Sequence, residues 1–135
     1  MNLLPPDYHT HTKLCLHAEG MPLDYAKAAE RNGVAEIACT DHAPAPGEYD
    51  PEHRMVSLQF SSYCEGVREA QESGCCRVLF GVEADYYEGC QPHLERWLGE
   101  QDFDLVLGSV RTGDFWDIDV RTGPVDYSEA YIREL

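Results

Sequence analysis

The stretch Asp7-Tyr8-His9-Thr10-His11-Thr12-Lys13-Leu14-Cys15-Leu16-His17 places three imidazoles within nine positions, directly after a short apolar run. His9 and His11 are two residues apart, so on an extended strand both rings leave the same face. Two imidazoles side by side at a strand end can hold one divalent metal, and His17, beyond a short turn, can reach a second. Chance clustering of surface histidines would explain a lone pair equally well. The pattern recurs, however: Thr40-Asp41-His42 and Gly81-Val82-Glu83-Ala84-Asp85 each follow a β-branched or apolar run. A metal site built at successive strand ends has this form.

The elements that must carry these residues alternate. Leu3–His11 reads as a strand confined by Pro5 and Pro6 to its second half. Pro22–Asn32 reads as a helix with proline at its start, an alanine-rich middle and Asn32-Gly33 as its stop. Val34–Thr40 is a strand, and the proline-rich Ala43–Pro51 a loop. Ser57–Ser73 carries a helical stripe of Phe60, Cys64, Val67 and Ala70, closed by Gly74. Arg77–Glu83 is a buried strand, and Gln91–Leu98 a short helix. Asp104–Val110 is a fourth strand, followed by an acidic, aromatic loop and a last helix from Ser128. This β-α order implies parallel strands with helices outside, where chemistry gathers at the strands' C-terminal ends. His9 and His11, His42, Glu83 and Arg111 fall there on strands one to four in turn.

Composition narrows the partners. The 135 residues suit one domain, and a chain of this size buries about two-thirds of its unfolded surface. Twenty-five acidic residues against 10 basic ones leave a charge of −15, which repels phosphate backbones and attracts divalent cations. Nucleic acid is therefore not expected as a partner. No apolar run approaches the 18 or so residues of a membrane span. No leader-like segment precedes Asp7, so Cys15, Cys39, Cys64, Cys75, Cys76 and Cys90 are expected as reduced thiols in a cytoplasmic protein.

At the quoted residues the chain resembles the polymerase and histidinol phosphatase (PHP) superfamily, most closely its monofunctional histidinol-phosphatase branch. The matching blocks are Asp7-x-His9-x-His11-Thr12 through Cys15-x-His17-Ala18-x-Gly20, Thr40-Asp41-His42-Ala43-Pro44, and Gly81-x-Glu83-x-Asp85-Tyr86. They close with Asp102-Phe103-Asp104-x-x-x-Gly108-Ser109-Val110 and Asp114-x-Trp116-x-x-Asp119. The resemblance implies an α/β fold, the N-terminal half of a distorted (β/α)7 barrel. It also implies up to three divalent metal ions (zinc, manganese or iron). His9 and His11 would bind the first metal, Glu83 would bridge the first and second, and His17 and His42 would bind the third. Asp41 would orient a ligand histidine from outside the coordination sphere. Such a cluster acidifies water and neutralises charge on a phosphate monoester. The implied function is hydrolysis of a small phosphate monoester, most directly L-histidinol phosphate in histidine biosynthesis.

The chain departs from the family pattern in two places. Where the family carries a ligand histidine after Gly-Ser-Val, this chain has Arg111, whose guanidinium has no lone pair to donate. Arg111 either places a fixed positive charge beside Glu83 and the phosphate, or forms a salt bridge to Asp114 or Asp117 with no part in the site; the second reading is preferred. The family barrel also continues through three further strands, roughly twice this length. The alternative expectation is thus a catalytically incomplete half-barrel, a fragment or metal-binding remnant, whose exposed edge requires a second chain or a second copy. His53 and His93 read as surface residues, Trp97 with Leu94 and Leu98 as helix core, and Tyr86-Tyr87 as a pocket rim. Trp116 fits either a pocket or the core. Ser109 has no evident His/Asp partners for nucleophilic chemistry.

Overall fold

The computed structural model describes residues 4–47 and 49–110. Strands β1 (Asp7–Thr10), β2 (Glu36–Cys39), β3 (Arg77–Tyr86) and β4 (Leu105–Val110) form one parallel sheet in sequential order. Helices α1 (Pro22–Asn32), α2 (Phe60–Ser73) and α3 (Gln91–Gly99) make the crossovers. This is the expected α/β half-barrel of parallel strands. The expected last helix from Ser128 lies outside the described residues.

Local chemistry accounts for the element boundaries. Pro22 opens α1, and the Asp24 carboxylate accepts the Met21 N–H at 2.8 Å, tying down the first turn. Gly33 ends it at φ 73°, a left-handed conformation that costs glycine little, and its N–H reaches the last carbonyls. β3 is the longest strand because it pairs along two stretches, residues 77–80 with β2 and residues 81–86 with β4. It therefore continues to Tyr86, three residues beyond the sequence expectation, while β2 is shorter at both ends. The stripe on α2 also shifts. Tyr63, not Cys64, is buried with Val67 and Ala70, and its hydroxyl donates to Gly81 O at 2.8 Å. A buried phenol needs such a partner.

The core lies between the sheet and helices α1 and α2, built from Ala26, Ala29, Ile37, Cys39, Met55, Tyr63, Val67 and Val78. Trp97 on α3 packs against Phe60 and Phe103 at ring separations of 5.0 and 5.6 Å but is only partly buried, outside the core cluster. All six cysteines are free thiols, with Cys15, Cys39 and Cys90 buried. No helix of the described residues is long and apolar enough to cross a membrane.

Of the described glycines, Gly81 leaves the least room for a side chain. A Cβ there would stand 2.9 Å from both Cys39 O and Leu105 O, backbone atoms of the two flanking strands. Gly81→Ala is expected to destabilise the fold by about 1–3 kcal/mol, the usual cost of overpacking, read as a lower urea midpoint at unchanged m-value.

Candidate metal centre

Three chain segments meet at the C-terminal side of the sheet: the end of β1 with the turn after it, the segment just past β2, and the second half of β3. Chain pairing continues past β2: Glu83 N–H donates to Asp41 O (3.0 Å) and Ala43 N–H to Glu83 O (2.8 Å), setting His42 beside Glu83 in an isolated parallel bridge. Thr10 locks the neighbouring segment. Its N–H donates to the Thr40 hydroxyl (3.1 Å), and Thr40 N–H donates to Thr10 O (3.0 Å). After His11, a short 3₁₀ turn (Lys13–Cys15) ends at Leu16 with φ 65°, a conformation strained for leucine, and His17 follows. That turn brings the His17 ring within 5.0 Å of His11 and 5.4 Å of His42, centre to centre.

One carboxylate oxygen gathers the histidines. Glu83 Oε2 lies 2.9 Å from His9 Nε2, 3.0 Å from His11 Nε2 and 3.7 Å from His42 Nε2. Burial would raise the Glu83 pKa, but the close approach of the His11, His42 and His9 rings outweighs it and holds the group below its ordinary value. Glu83 is therefore a carboxylate at neutral pH. His11 Nε2 is close to that oxygen but not aligned for a hydrogen bond. Both its ring nitrogens are buried with no hydrogen-bond partner among the described residues. Buried imidazole nitrogens seldom go unpaired, and a metal supplies what a hydrogen bond does not.

Ligand-type atoms fall into three compact groups, each spanning at most 4.8 Å: His9, His11 and Glu83; His42, Glu83 and Asp85; and His11, Cys15 and His17. Imidazole and carboxylate ligands of this kind suit a first-row divalent ion. The donor set fits.

Asp41 and Asp85 divide the supporting work differently from the sequence expectation. Asp41 accepts the Thr12 N–H at 2.5 Å and also bonds the Thr12 hydroxyl, so it holds the backbone next to His11 rather than a histidine ring. Burial raises its pKa against the lowering effect of those two bonds. The carboxylate that touches a histidine is Asp85, whose Oδ2 is 2.9 Å from His42 Nδ1. Burial alone would lower the His42 pKa, but the bond to Asp85 and the charges of Asp85 and Glu83 raise it. Ser109 also bonds Asp85, through Oδ1. Among the described residues its hydroxyl meets this carboxylate and no basic nitrogen.

Two residues read as surface positions require correction. His53 is only 26% exposed; its Nδ1 sits 2.6 Å from Asp50 Oδ1, and its ring is 5.8 Å from His17. It lies at the rim of the histidine cluster because the loop before α2 folds back over the strand ends. His93 on α3 is half-buried, with Nε2 lacking a hydrogen-bond partner among the described residues. Arg54 and Asp85, both buried at the centre, were absent from the expected site. For Asp85 a signal existed, since it lies two residues beyond Glu83 on the same face of β3. Arg54 sits in an irregular segment with no periodicity to betray it. At the expected rim, Tyr86 is exposed and Tyr87 stacks on Tyr49 at 3.8 Å. Arg111, Trp116 and the remaining residues of the acidic loop lie outside the described residues.

The description PHP domain matches residues 7–134. The chain belongs to the PHP domain family. Over 125 residues it is 38% identical to the probable histidinol-phosphatase of Deinococcus radiodurans, covering 91% of this chain and 48% of that protein. Over 133 residues it is 32% identical to a probable phosphatase of Acetivibrio thermocellus, covering 96% of this chain and 48% of that protein. The PHP chain thus spans about half the length of the curated relatives it matches. Its fold superimposes with a TM-score of 0.69 on a histidinol phosphate phosphatase of Lactococcus lactis crystallised with zinc, L-histidinol and phosphate. That alignment is 24% identical and covers 84% of this chain and 43% of the other.

Proposed function

We propose that this PHP chain belongs to a metal-dependent phosphoesterase acting on a small phosphate monoester, with L-histidinol phosphate as the substrate. The observation that carries this reading is the approach of three imidazoles, His9, His11 and His42, to the single oxygen Glu83 Oε2. The similarity to a probable histidinol-phosphatase and the histidinol-bound Lactococcus enzyme support the choice of substrate.

In this reading His9, His11 and Glu83 hold one divalent ion, and His17 and His42 hold another. Zinc, manganese or iron would fit the donor set. When bound, such ions supply Lewis acidity toward water and the phosphoryl group. Glu83, ionised and buried, stays a ligand at neutral pH without competition from a proton. Asp41 keeps His11 in place through the Thr12 backbone, and Asp85 fixes the ring orientation of His42. The substrate's negative charge meets these sites rather than the acidic exterior.

A second reading has its own support. On β4, Val106 and Val110 are 45% and 62% exposed. Among the described residues β4 is an outermost strand, and apolar side chains there invite a covering partner. In this reading a second chain, or a second copy, completes the barrel before turnover is possible.

Phosphate release from L-histidinol phosphate, compared with a generic aryl phosphate, separates the two. Turnover by the metal-loaded chain alone, stopped by chelation and restored by zinc or manganese, supports the phosphoesterase. A folded, metal-loaded monomer without turnover supports the incomplete half-barrel. A folded chain that retains no metal overturns the phosphoesterase reading for this chain alone and supports the incomplete half-barrel.

A further inference from the structure

The segment between β2 and α2 buries an arginine for which the phosphoesterase reading has no use. Arg54 is 4% exposed. Its Nη1 donates to Ala43 O at 2.9 Å and its Nε to Asp50 O at 3.2 Å. Its Nη2 donates to Asp85 Oδ2 at 2.8 Å and to Asp50 Oδ2 at 3.3 Å, and the guanidinium carbon lies 5.0 Å from the centre of the Tyr49 ring. The Asp85 oxygen that accepts from Arg54 is the one that meets His42 Nδ1 at 2.9 Å.

We propose that Arg54 is a positioning residue for the metal centre. By pinning Asp85 it makes that carboxylate take the Nδ1–H of His42, leaving His42 Nε2 turned toward Glu83. The proposal rests on the metal-dependent reading above. Its chemistry is specific to arginine. A planar fork can reach Ala43, Asp50 and Asp85 together, whereas an ammonium is a compact point charge that cannot span them. Without Arg54, Asp85 would retain its bonds to His42 and Ser109 but lose the guanidinium bonded to its Oδ2. The same guanidinium steadies Asp50, whose other oxygen holds His53. One buried cation therefore ties the loop carrying His53 to the strand end carrying Glu83.

The test compares Arg54→Lys with Asp50→Asn. Arg54→Lys keeps the charge and is expected to fold by circular dichroism while binding zinc, in competition with a chromophoric chelator, about 10–100-fold more weakly. In the metal-free protein, NMR should show the His42 Nδ1–H proton exchanging with solvent faster than in the wild type. Asp50→Asn leaves the Arg54–Asp85 contact in place, so zinc affinity should change by less than about threefold. If Arg54→Lys does not fold, Arg54→Gln takes its place, with the same two losses expected. A folded Arg54 variant with zinc affinity within about twofold of wild type and an equally protected His42 proton would overturn the proposal. The proton measurement needs no metal. A wild type that binds no zinc would therefore sink the phosphoesterase reading while the role of Arg54 is still judged.

Discussion

Glu83→Ala is expected to give a folded chain that no longer retains metal. The strand survives the change, because β3 and the bridge to His42 are held by the backbone of residue 83, not its side chain. The site does not survive it. Glu83 Oε2 is the point on which His9, His11 and His42 converge at 2.9, 3.0 and 3.7 Å, and its removal takes away the one carboxylate that the three rings share. Substitutions that only orient a ligand from outside the coordination sphere cost about 10–100-fold in metal affinity. Loss of the carboxylate itself should exceed about 100-fold. Mass-spectrometric metal content after dialysis against metal-free buffer, wild type beside variant, reads this directly. Equal stoichiometry in the two proteins would remove Glu83 from the site and with it the case for a metal bridging these strand ends.

The largest stability effect is expected at Asp85. Its carboxylate is 2% exposed and contacts Arg54, His42 and Ser109. Asp85→Ala leaves the Arg54 guanidinium buried without its shortest charged contact and His42 Nδ1 without an acceptor. Breaking one side of a buried pair costs about 3–5 kcal/mol, because the stranded charge keeps its desolvation penalty. A urea melt should show the midpoint falling by that free energy divided by the m-value, with m unchanged. The same group sets an acid limit. Burial alone would raise the Asp85 pKa, but hydrogen bonding and charge from His42, the Ser109 hydroxyl and the Arg54 charge lower it well below its ordinary value. A carboxylate depressed in the folded state contributes stability that is fully present above its unfolded pKa of about 3.9 and lost as pH falls toward the folded value. The metal-free wild type should therefore lose melting temperature below about pH 4, and Asp85→Ala should be flatter through that range. A wild type and variant with parallel acid profiles would show that Asp85 is not the group responsible.

Much of the fold was legible because its signals are local. Pro22 and the Asn32-Gly33 pair bracket α1 as expected, and the alternation of strand and helix followed from runs of apolar residues between turn formers. The two-residue spacing of His9 and His11 was enough to predict that the rings lie together, and both meet Glu83 although His11 stands just past the end of β1. The blocks around His17, His42 and Glu83 were recognisable as a set, and the structure brings all five expected ligand residues into one neighbourhood.

The centre of the site was less legible, for a physical reason. Secondary-structure signals act over a few neighbouring residues, whereas the contacts that decide this site join residues far apart in the chain. Asp41 meets Thr12 across 29 positions, Arg54 meets Asp85 across 31, and His9 meets Glu83 across 74. Each depends on the register of the parallel strands, since slipping a strand by one residue turns its side chains to the opposite face. Residue types and spacing alone determined that histidines and a carboxylate stand at strand ends in a parallel α/β chain. Only the tertiary structure decided that Glu83 Oε2 is their meeting point, that Asp85 rather than Asp41 steadies a histidine ring, and that Arg54 and His53 reach the site. Those last assignments follow from how the loop folds back over the sheet, and its irregular backbone carries no repeating pattern from which the path could be read.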